Sequence, residues 1–323
     1  SERNTVSTIA RTFSGIGQGI ITICTPYALV LLGTGANEAE KKISAQGFSR
    51  WAIICAVLLV MFAVICVSVT KERHVVYNKE KFSFRKLFDV VKSNDQLVVF
   101  MIFAMLSNAG WYLTSGVGAY YFEDVEGDIT KQSTFAIFGA VGSFLGLFVI
   151  PIMSKKYTRR TIYRFCLIMV IVGYLIMILC GPVLHQTMLL NIAYIIASIG
   201  IASMFVNQTV MLADIVDYGE YKTGKRSEST TFSMKGFLQK MAYTLQTIIL
   251  FSGLGLSGYE GEAETQTALS QNTISVMTFV IPPILVLISF LVFSKKYKLY
   301  GELADKVHAF VDARQANMEK EAN

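Results

Sequence analysis

The chain alternates long apolar runs with short polar segments, and the polar segments hold most of the charges. With their neutral flanks, several runs reach the roughly 17–25 residues that a helix needs to cross a bilayer. Glycines recur at helix-contact spacing, which favours close packing between such helices. The pattern predicts an all-α integral membrane protein with about eight spans and a polar, helical tail. The predicted spans are 9–32, 51–69, 96–120, 135–153, 162–180, 189–212, 232–256 and 273–293.

Lysine and arginine are concentrated in alternate connections between the spans. The basic connections are 71–92, 155–160, 222–226 and 295–298. The connections between them are acidic or neutral, at 123–128, 181–186 and 260–264. Because basic loops stay in the cytoplasm, this asymmetry predicts a multi-pass protein of the cell membrane with both termini of this chain cytoplasmic.

Composition narrows the class of protein further. Hydrophobic residues make up 53% and charged residues 16% of the 323 residues, which excludes an ordinary soluble enzyme. The net charge of +6 resides in the loops and indicates topology rather than a nucleic-acid partner. The five cysteines lie in or beside apolar spans without a CxxC pair, so they are expected to be small buried hydrophobic residues. No catalytic histidine or metal-ligand set occurs within a span, so neither an enzyme nor a metal site in this chain is predicted.

Polar side chains inside apolar spans are costly unless they pair or face water, and so they mark candidate sites. Lys240 lies about 12 Å into the seventh span at 1.5 Å per residue, and Tyr243 and Thr244 follow on its helical face. A cation beside hydroxyls suits a water-filled cavity; the alternative is a lysine packed against a carboxylate. Arg11, near the start of the first span, can hold a sugar through paired hydrogen bonds or can snorkel to the interface.

Aromatic and amide side chains form a second group of candidates. Sugar pockets combine rings that stack on C–H faces with polar groups that bind hydroxyls. Phe205, Asn207 and Gln208 lie in the middle of the sixth span, and Tyr120 ends the third. The alternatives are interhelical hydrogen bonds for the two amides and an interfacial aromatic belt for Tyr120.

The densest polar segment is residues 212–229, LADIVDYGEYKTGKRSES, between the sixth and seventh spans. Asp214 and Asp217 end one span, and Arg226 precedes the next. Opposite charges at helix ends on one membrane face can lock a gate and release it. The alternative is a solvated charged loop.

This segment carries a resemblance. ADIVDYGEYKTGKRSES is similar to the connection between helices ten and eleven of the glycoside–pentoside–hexuronide:cation symporters, the family of the melibiose permease within the major facilitator superfamily. KSNDQL at 92–97 and GAYYF at 118–122 resemble the start and end of helix seven. ERNTVSTIARTF at 2–13 resembles the start of helix five.

The resemblance implies a twelve-helix fold in which the spans of this chain are helices five to twelve and the first four lie outside it. Residues 1–70 would hold the last two helices of the N-terminal six-helix half, and 71–94 the central cytoplasmic loop. Residues 95–294 would form the C-terminal half, and 295–323 a cytoplasmic tail.

The resemblance also implies cation-coupled symport of a glycoside, pentoside or hexuronide by alternating access, with Na⁺ or H⁺ as the coupling ion and no other cofactor. The acidic residues that bind the cation are expected in the missing helices. Arg11 and Lys240 match sugar-site residues. Phe205 stands where the melibiose permease has a pocket tryptophan, so an aromatic ring is kept and the indole N–H is lost.

Asp214 and Arg226 match charges of the family's cytoplasmic gate, as does Arg160, with neighbouring Arg159 as its alternative. The expected partners are a small-molecule sugar and membrane lipid, and a monomer is the default state. The alternative functions are a non-sugar or non-transporting relative, such as a lipid carrier or a sensor, or an inactive fragment.

Overall fold

A computed structural model of the protein describes residues 2–33, 44–69, 84–225, 227–261, 263 and 265–322. In these ranges every regular element is a helix, because a chain in a bilayer must satisfy its backbone polar groups internally. The helices are α1 (Glu2–Leu31), α2 (Ala45–Val69), α3 (Phe84–Ser93), α4 (Asp95–Tyr120), α5 (Thr130–Met153), α6 (Arg159–Ile178), α7 (Thr187–Thr223), α8 (Glu228–Ser257), α9 (Ala268–Ser275), α10 (Ile281–Lys296) and α11 (Glu302–Ala322). Short π-helical segments extend α4, α6 and α9, at Tyr121–Val125, Leu179–Val183 and Val276–Val280.

Six helical stretches among the described residues are long and apolar enough to cross a membrane, which confirms the predicted fold class. They are Ala45–Val69, Asp95–Val125, Thr130–Met153, Arg159–Val183, Thr187–Thr223 and Ala268–Lys296. The predicted spans 9–32 and 232–256 coincide with α1 and α8. The described apolar part of α1, Gly17–Leu31, is shorter, and α8 is more polar because it carries Lys235 and Lys240.

The chain divides into two compact units. The first comprises residues 1–82 and 119–137, and the second 83–118 and 138–323. Residues 71–83 of the predicted central loop lie outside the described residues, and α3 occupies most of the remainder. The second unit therefore includes most of the region predicted as the C-terminal half.

In the first unit, α1 and α2 meet through small and capping side chains. A Cβ on Gly47 would collide with the carbonyl of Leu29, so glycine allows the two helices to approach closely. Arg50 Nη1 donates to the carbonyl of Leu32 at 2.8 Å, at the end of α1. Beyond this contact nearly all side chains of 52–69 are exposed.

In the second unit, glycines place α5 directly against α7. A Cβ on Gly142 would lie 2.8 Å from the Cβ of Ser198, and one on Gly146 would lie 2.9 Å from the Cβ of Ala202. Both distances are too short for carbon atoms, so larger residues would force the helices apart. The glycine spacing noted in the sequence is therefore a helix-packing face.

A buried aromatic core closes one end of the second unit. This end, where α4 and α6 begin and α7 and α10 finish, is called the basic end below. The ring of Phe103 lies 5.3 Å from Phe100, 5.2 Å from Tyr163, 5.0 Å from Phe293 and 6.2 Å from Tyr297. Aromatic pairs of this kind contribute about 0.5–1.5 kcal/mol each beyond the burial of their area, so the core holds three helices together.

Candidate functional site

The predicted substrate residues are distributed over both units. Arg11 lies on α1 and Tyr120 ends α4, and both belong to the first unit. The side chain of Arg11 lies outside the described residues, and Tyr120 is half-buried. The other predicted substrate residues belong to the second unit: Phe205, Asn207, Gln208, Lys240 and Tyr243.

Four aromatic side chains from α4, α7 and α8 form a continuous row in the second unit. Tyr243 stacks on Tyr112 with ring centroids 3.8 Å apart and planes 13° from parallel. Trp111 lies 5.0 Å from Tyr112 and meets Phe205 edge-to-face at 5.2 Å. Trp111 and Tyr112, an aromatic pair within the third predicted span, thus join the predicted site residues Phe205 and Tyr243. These four residues are called the aromatic row.

Lys240 lies one helical turn before Tyr243 on α8, and its side chain is exposed. It forms no hydrogen bond or ion pair through its ammonium group with any residue in the described ranges. Thr244 donates its hydroxyl to the Lys240 carbonyl at 3.0 Å, so this hydroxyl serves the helix backbone. The lysine is thus a cation next to an aromatic surface, rather than one buried against a described carboxylate.

Gln208 and Asn207 form interhelical hydrogen bonds, the alternative that the sequence left open for them. Gln208 Nε2 donates to Tyr163 Oη at 3.0 Å and to Ser107 Oγ at 3.2 Å. Asn207 Nδ2 donates to the carbonyl of Arg159 at 3.2 Å. Both amides are buried, and these bonds join α7 to α4 and α6.

Asn207, predicted in the middle of its span, lies beside the start of α6 in the structure. Arg159 is the first residue of α6, so its bond to Asn207 puts that amide at the basic end. The reason is the length of α7, whose 37 residues extend about 55 Å at 1.5 Å per residue. A bilayer core is only about 30 Å thick, so the centre of this helix and the centre of the membrane need not coincide.

Lys235 is a second cation on α8 and is not among the predicted site residues. Its Nζ donates to the hydroxyl of Thr209 on α7 at 2.6 Å, and the side chain is half-buried. Its signal was a charge five residues before Lys240 in the same predicted span. Because it is held by α7, Lys235 helps to fix α8 against that helix.

At the basic end, the residue paired with Asp214 is Arg159, not Arg160. Arg159 Nη1 forms an ion pair with Asp214 Oδ1. Arg160 stacks its guanidinium over Tyr300, 3.7 Å from the ring centroid, and donates to the carbonyl of Ser294 at 2.8 Å. Adjacent positions on a helix point about 100° apart, so the two arginines reach different neighbours.

The other predicted gate residues are less closely defined. Asp217 is half-buried on α7, one turn beyond Asp214. Arg226 lies outside the described residues. In the part of the chain that the structure describes, no group of three His, Cys, Asp or Glu side chains could hold a metal ion.

Tyr297, just beyond α10, is buried close to the Arg159–Asp214 ion pair. Burial raises the pKa of its phenol above the ordinary value, and the negative charge of Asp214 raises it further. The hydroxyl is buried and has no hydrogen-bond partner within the described ranges. Tyr297 therefore stays protonated at neutral pH and is a neutral ring near the pair.

A second polar cluster at the basic end joins the start of α4 to the end of α7. Lys222 Nζ donates to Asp95 Oδ1 at 2.6 Å, and Tyr218 Oη donates to the same atom at 3.0 Å. Asn94 donates to the carbonyl of Ile215 at 2.9 Å and caps the first turn of α4. The KSNDQL motif is thus the α4 side of an interhelical junction.

The tail helix α11 packs beneath the same end of α7. Arg314 Nη1 lies 3.0 Å from Glu220 Oε1 and also donates to the carbonyl of Gly224 at 3.0 Å. Phe310 meets Tyr221 edge-to-face at 5.5 Å. The carbonyl of Gly224 lies at the C-terminal end of α7, where a cation is favoured.

Comparison with known proteins assigns the class. Residues 1–300 match the family described as MFS/sugar transport protein. The chain is 25% identical to the lactose permease of Lactobacillus delbrueckii subsp. bulgaricus, over 95% of the chain and 49% of that permease. It is 25% identical to the raffinose carrier protein of Pediococcus pentosaceus, over 93% and 47%. It is 27% identical to the isoprimeverose transporter of Lactiplantibacillus pentosus, over 85% and 57%.

The matched family and these relatives carry the names of transport proteins and not of enzymes, in agreement with the class expected from the sequence. The chain belongs to the MFS/sugar transport protein family and is similar to glycoside–pentoside–hexuronide symporters. It spans about half the length of the first curated relatives that it matches.

Proposed function

We propose that the protein is a cation-coupled sugar symporter of the cell membrane, driven by Na⁺ or H⁺ and working by alternating access. The observation that carries the proposal is the aromatic row with the exposed Lys240 beside it. The substrate class is a glycoside, pentoside or hexuronide, and a monomer is the proposed functional state. The matched relatives, named for lactose, raffinose and isoprimeverose, support a sugar substrate.

The chemistry of the row suits a sugar better than a fully apolar ligand. Aromatic faces pack on the C–H face of a pyranose, and Tyr243 remains 49% exposed although it stacks on Tyr112. The Lys240 ammonium offers three hydrogen-bond donors to hydroxyls, or a counter-charge to a uronide carboxylate. A fully apolar ligand would make no use of a cation one turn from the rings.

The basic end is the proposed cytoplasmic gate of this half. Asp214 and Arg159 supply an ion pair between α7 and α6, with Asp217, Arg226 and Arg160 as the further predicted members. Such a contact can form in one state of alternating access and open in the other. The charge asymmetry of the loops supports its cytoplasmic location.

Uptake by the protein in proteoliposomes tests the proposal. Labelled lactose, raffinose and isoprimeverose would be offered under an inward Na⁺ gradient, an inward proton gradient, or neither. We expect accumulation of at least one sugar under one gradient. Lys240→Ala should lower the uptake of that sugar at least about a hundredfold, because it removes a desolvated cation contact. Lys295→Ala, which removes an exposed lysine at the end of α10, serves as the matched control.

Three results would contradict parts of the proposal. Accumulation that needs no gradient would exclude cation coupling. Normal uptake by Lys240→Ala in well-inserted protein would remove Lys240 from the site. Binding of lysolipid, without uptake of any sugar under either gradient, would favour a lipid carrier.

A further inference from the structure

The membrane-spanning stretch Ala268–Lys296 is broken in its backbone hydrogen bonding. Helix α9 gives way to the π-helical segment Val276–Val280, in which the Val276 carbonyl accepts from the N–H of Ile281, five residues later. Pro282 and Pro283 follow at the start of α10. Proline has no N–H, so these two positions cannot donate to the preceding turn.

The carbonyl of Thr278 is the group that this arrangement leaves without a helical donor. Its donor would be residue 282 in α-helical register and residue 283 in π-helical register, and both are proline. An unsatisfied carbonyl in a membrane costs several kcal/mol. Some other group must therefore satisfy it.

That group is the hydroxyl of Thr114 on α4. Thr114 Oγ1 donates to the Thr278 carbonyl at 3.0 Å. Tyr174 Oη on α6 lies 2.6 Å from Thr114 Oγ1, and since the single Thr114 proton is already used, Tyr174 is the donor in this second bond. Thr114 and Tyr174 are both 0% exposed. A relay of two hydrogen bonds thus runs from α6 through α4 to the break between α9 and α10.

The break also lies directly against α4. A Cβ on Gly110 would be 3.0 Å from the carbonyl of Pro282 and 3.3 Å from Val286 Cγ2. Trp111 and Tyr112 of the aromatic row lie between Gly110 and Thr114 in sequence. One turn of α4 therefore holds both contacts with the break and half of the aromatic row.

We propose that the π-helical segment and Pro282–Pro283 form a hinge of the second unit and that the Tyr174–Thr114–Thr278 relay is its latch. Proline and π-helical segments are common sites of helix bending. A bend there would move the outer part of this helix relative to the turn that carries the row. The purpose of the bend rests on the proposed transport function, whereas the latch does not depend on it.

Hydrogen–deuterium exchange of the protein in lipid nanodiscs tests the latch without sugar or cation. Thr114→Val keeps the shape of the side chain but removes the donor, so amides in 276–281 and 284–288 should exchange about tenfold faster, as expected when a buried carbonyl loses its donor. Thr114→Ser keeps the hydroxyl and should stay within about twofold of the unaltered protein. Equal exchange in Thr114→Val and the unaltered protein would overturn the latch.

A double variant separates the latch from general destabilisation. Pro282→Ala supplies the missing N–H, so Thr114→Val should no longer matter when both changes are present. We expect the double variant to exchange within about twofold of Pro282→Ala alone, including when Thr114→Val by itself does not fold. If Thr114→Val still raises exchange about tenfold on the Pro282→Ala background, the hydroxyl acts elsewhere and the proposal fails.

Uptake measurements on the unaltered protein and the same variants distinguish a failure of the latch from a failure of the proposed transport function. If the unaltered protein moves no sugar but the exchange pattern holds, the transport proposal fails and the latch stands. If sugar uptake is normal and the exchange pattern is absent, the latch fails and transport stands.

Discussion

Polar residues that look alike in the sequence have opposite roles once the helices are packed. Gln208 is buried and donates to two other helices, whereas Lys240 is exposed and has no hydrogen bond or ion pair from its ammonium group within the described ranges. Both stand within predicted apolar spans, so the cost of a polar group in a membrane marks them equally. The cost is met by neighbouring side chains in the first case, whereas no described side chain pairs with the ammonium group in the second.

Gln208→Leu is expected to reduce stability more than sugar binding. Tyr163 and Ser107 would each lose a buried hydrogen bond, and the change should destabilise the protein by about 1–3 kcal/mol. Thermal unfolding in detergent, with sugar affinity measured on the folded fraction, checks this. Gln186→Leu alters an exposed glutamine and is the control. Unchanged stability with lost affinity would instead make Gln208 a substrate contact.

The arginine paired with Asp214 in the proposed gate shows how far the sequence could predict the site. The resemblance matched Arg160 to a charge of the cytoplasmic gate, with neighbouring Arg159 as its alternative. The choice of Arg159 depends on the rotation of α6 about its axis, which is set by its packing with α7 and α10. The type of residue at this position was therefore predictable, whereas which of the two arginines pairs with Asp214 was not.

For whole helices, small residues determine which ones can touch. The glycine spacing on α5 was visible in the sequence, and the structure shows that this face lies on α7. The predicted span 273–293 also contained Pro282 and Pro283, so a break could be expected there. The helix that supplies the missing donor could not be predicted, because Thr114 is 164 residues away from Thr278 in the chain.

Gly142→Ala is expected to destabilise the α5–α7 contact. The added methyl would lie 2.8 Å from the Cβ of Ser198, and overpacking of this kind costs about 1–3 kcal/mol. Gly255→Ala on α8 is the matched control, since a Cβ there meets nothing within 4 Å; it should stabilise by about 0.5–1 kcal/mol through helix propensity. The melting temperatures should thus move in opposite directions, and a parallel change would argue against the packing role.

Arg314→Ala is expected to loosen the tail helix without unfolding the membrane helices. The change removes the ion pair with Glu220 and the bond to the Gly224 carbonyl, while the buried Val307 and Val311 still favour docking. Cleavage within 302–314 by a soluble protease should become about tenfold faster, the equivalent of about 1.4 kcal/mol. Asp312→Ala, an exposed neighbour, should leave the rate unchanged. If both variants are cleaved equally fast, the contact adds nothing to docking.

For the molecule as a whole, hydropathy and loop charge carry most of the predictable information. These two features predict the helical membrane fold because length and polarity are local properties of the chain. The division of the chain into two units was harder to predict. Residues 119–137 group with 1–82 rather than with the helix that precedes them. Such grouping depends on contacts between distant segments, which periodicity does not encode.

The orientation in the membrane can be measured with one inserted cysteine at a time. The connections at 155–160 and 295–298 are basic and those at 123–128 and 260–264 are acidic, so the first pair should face the cytoplasm. In a background whose five cysteines are replaced by serine, Glu260→Cys should react with an impermeant maleimide in intact cells. Lys155→Cys should react only after permeabilisation, although both positions are exposed in the structure. The reverse pattern would place the Arg159–Asp214 pair outside the cell, and the basic end could then not be a cytoplasmic gate.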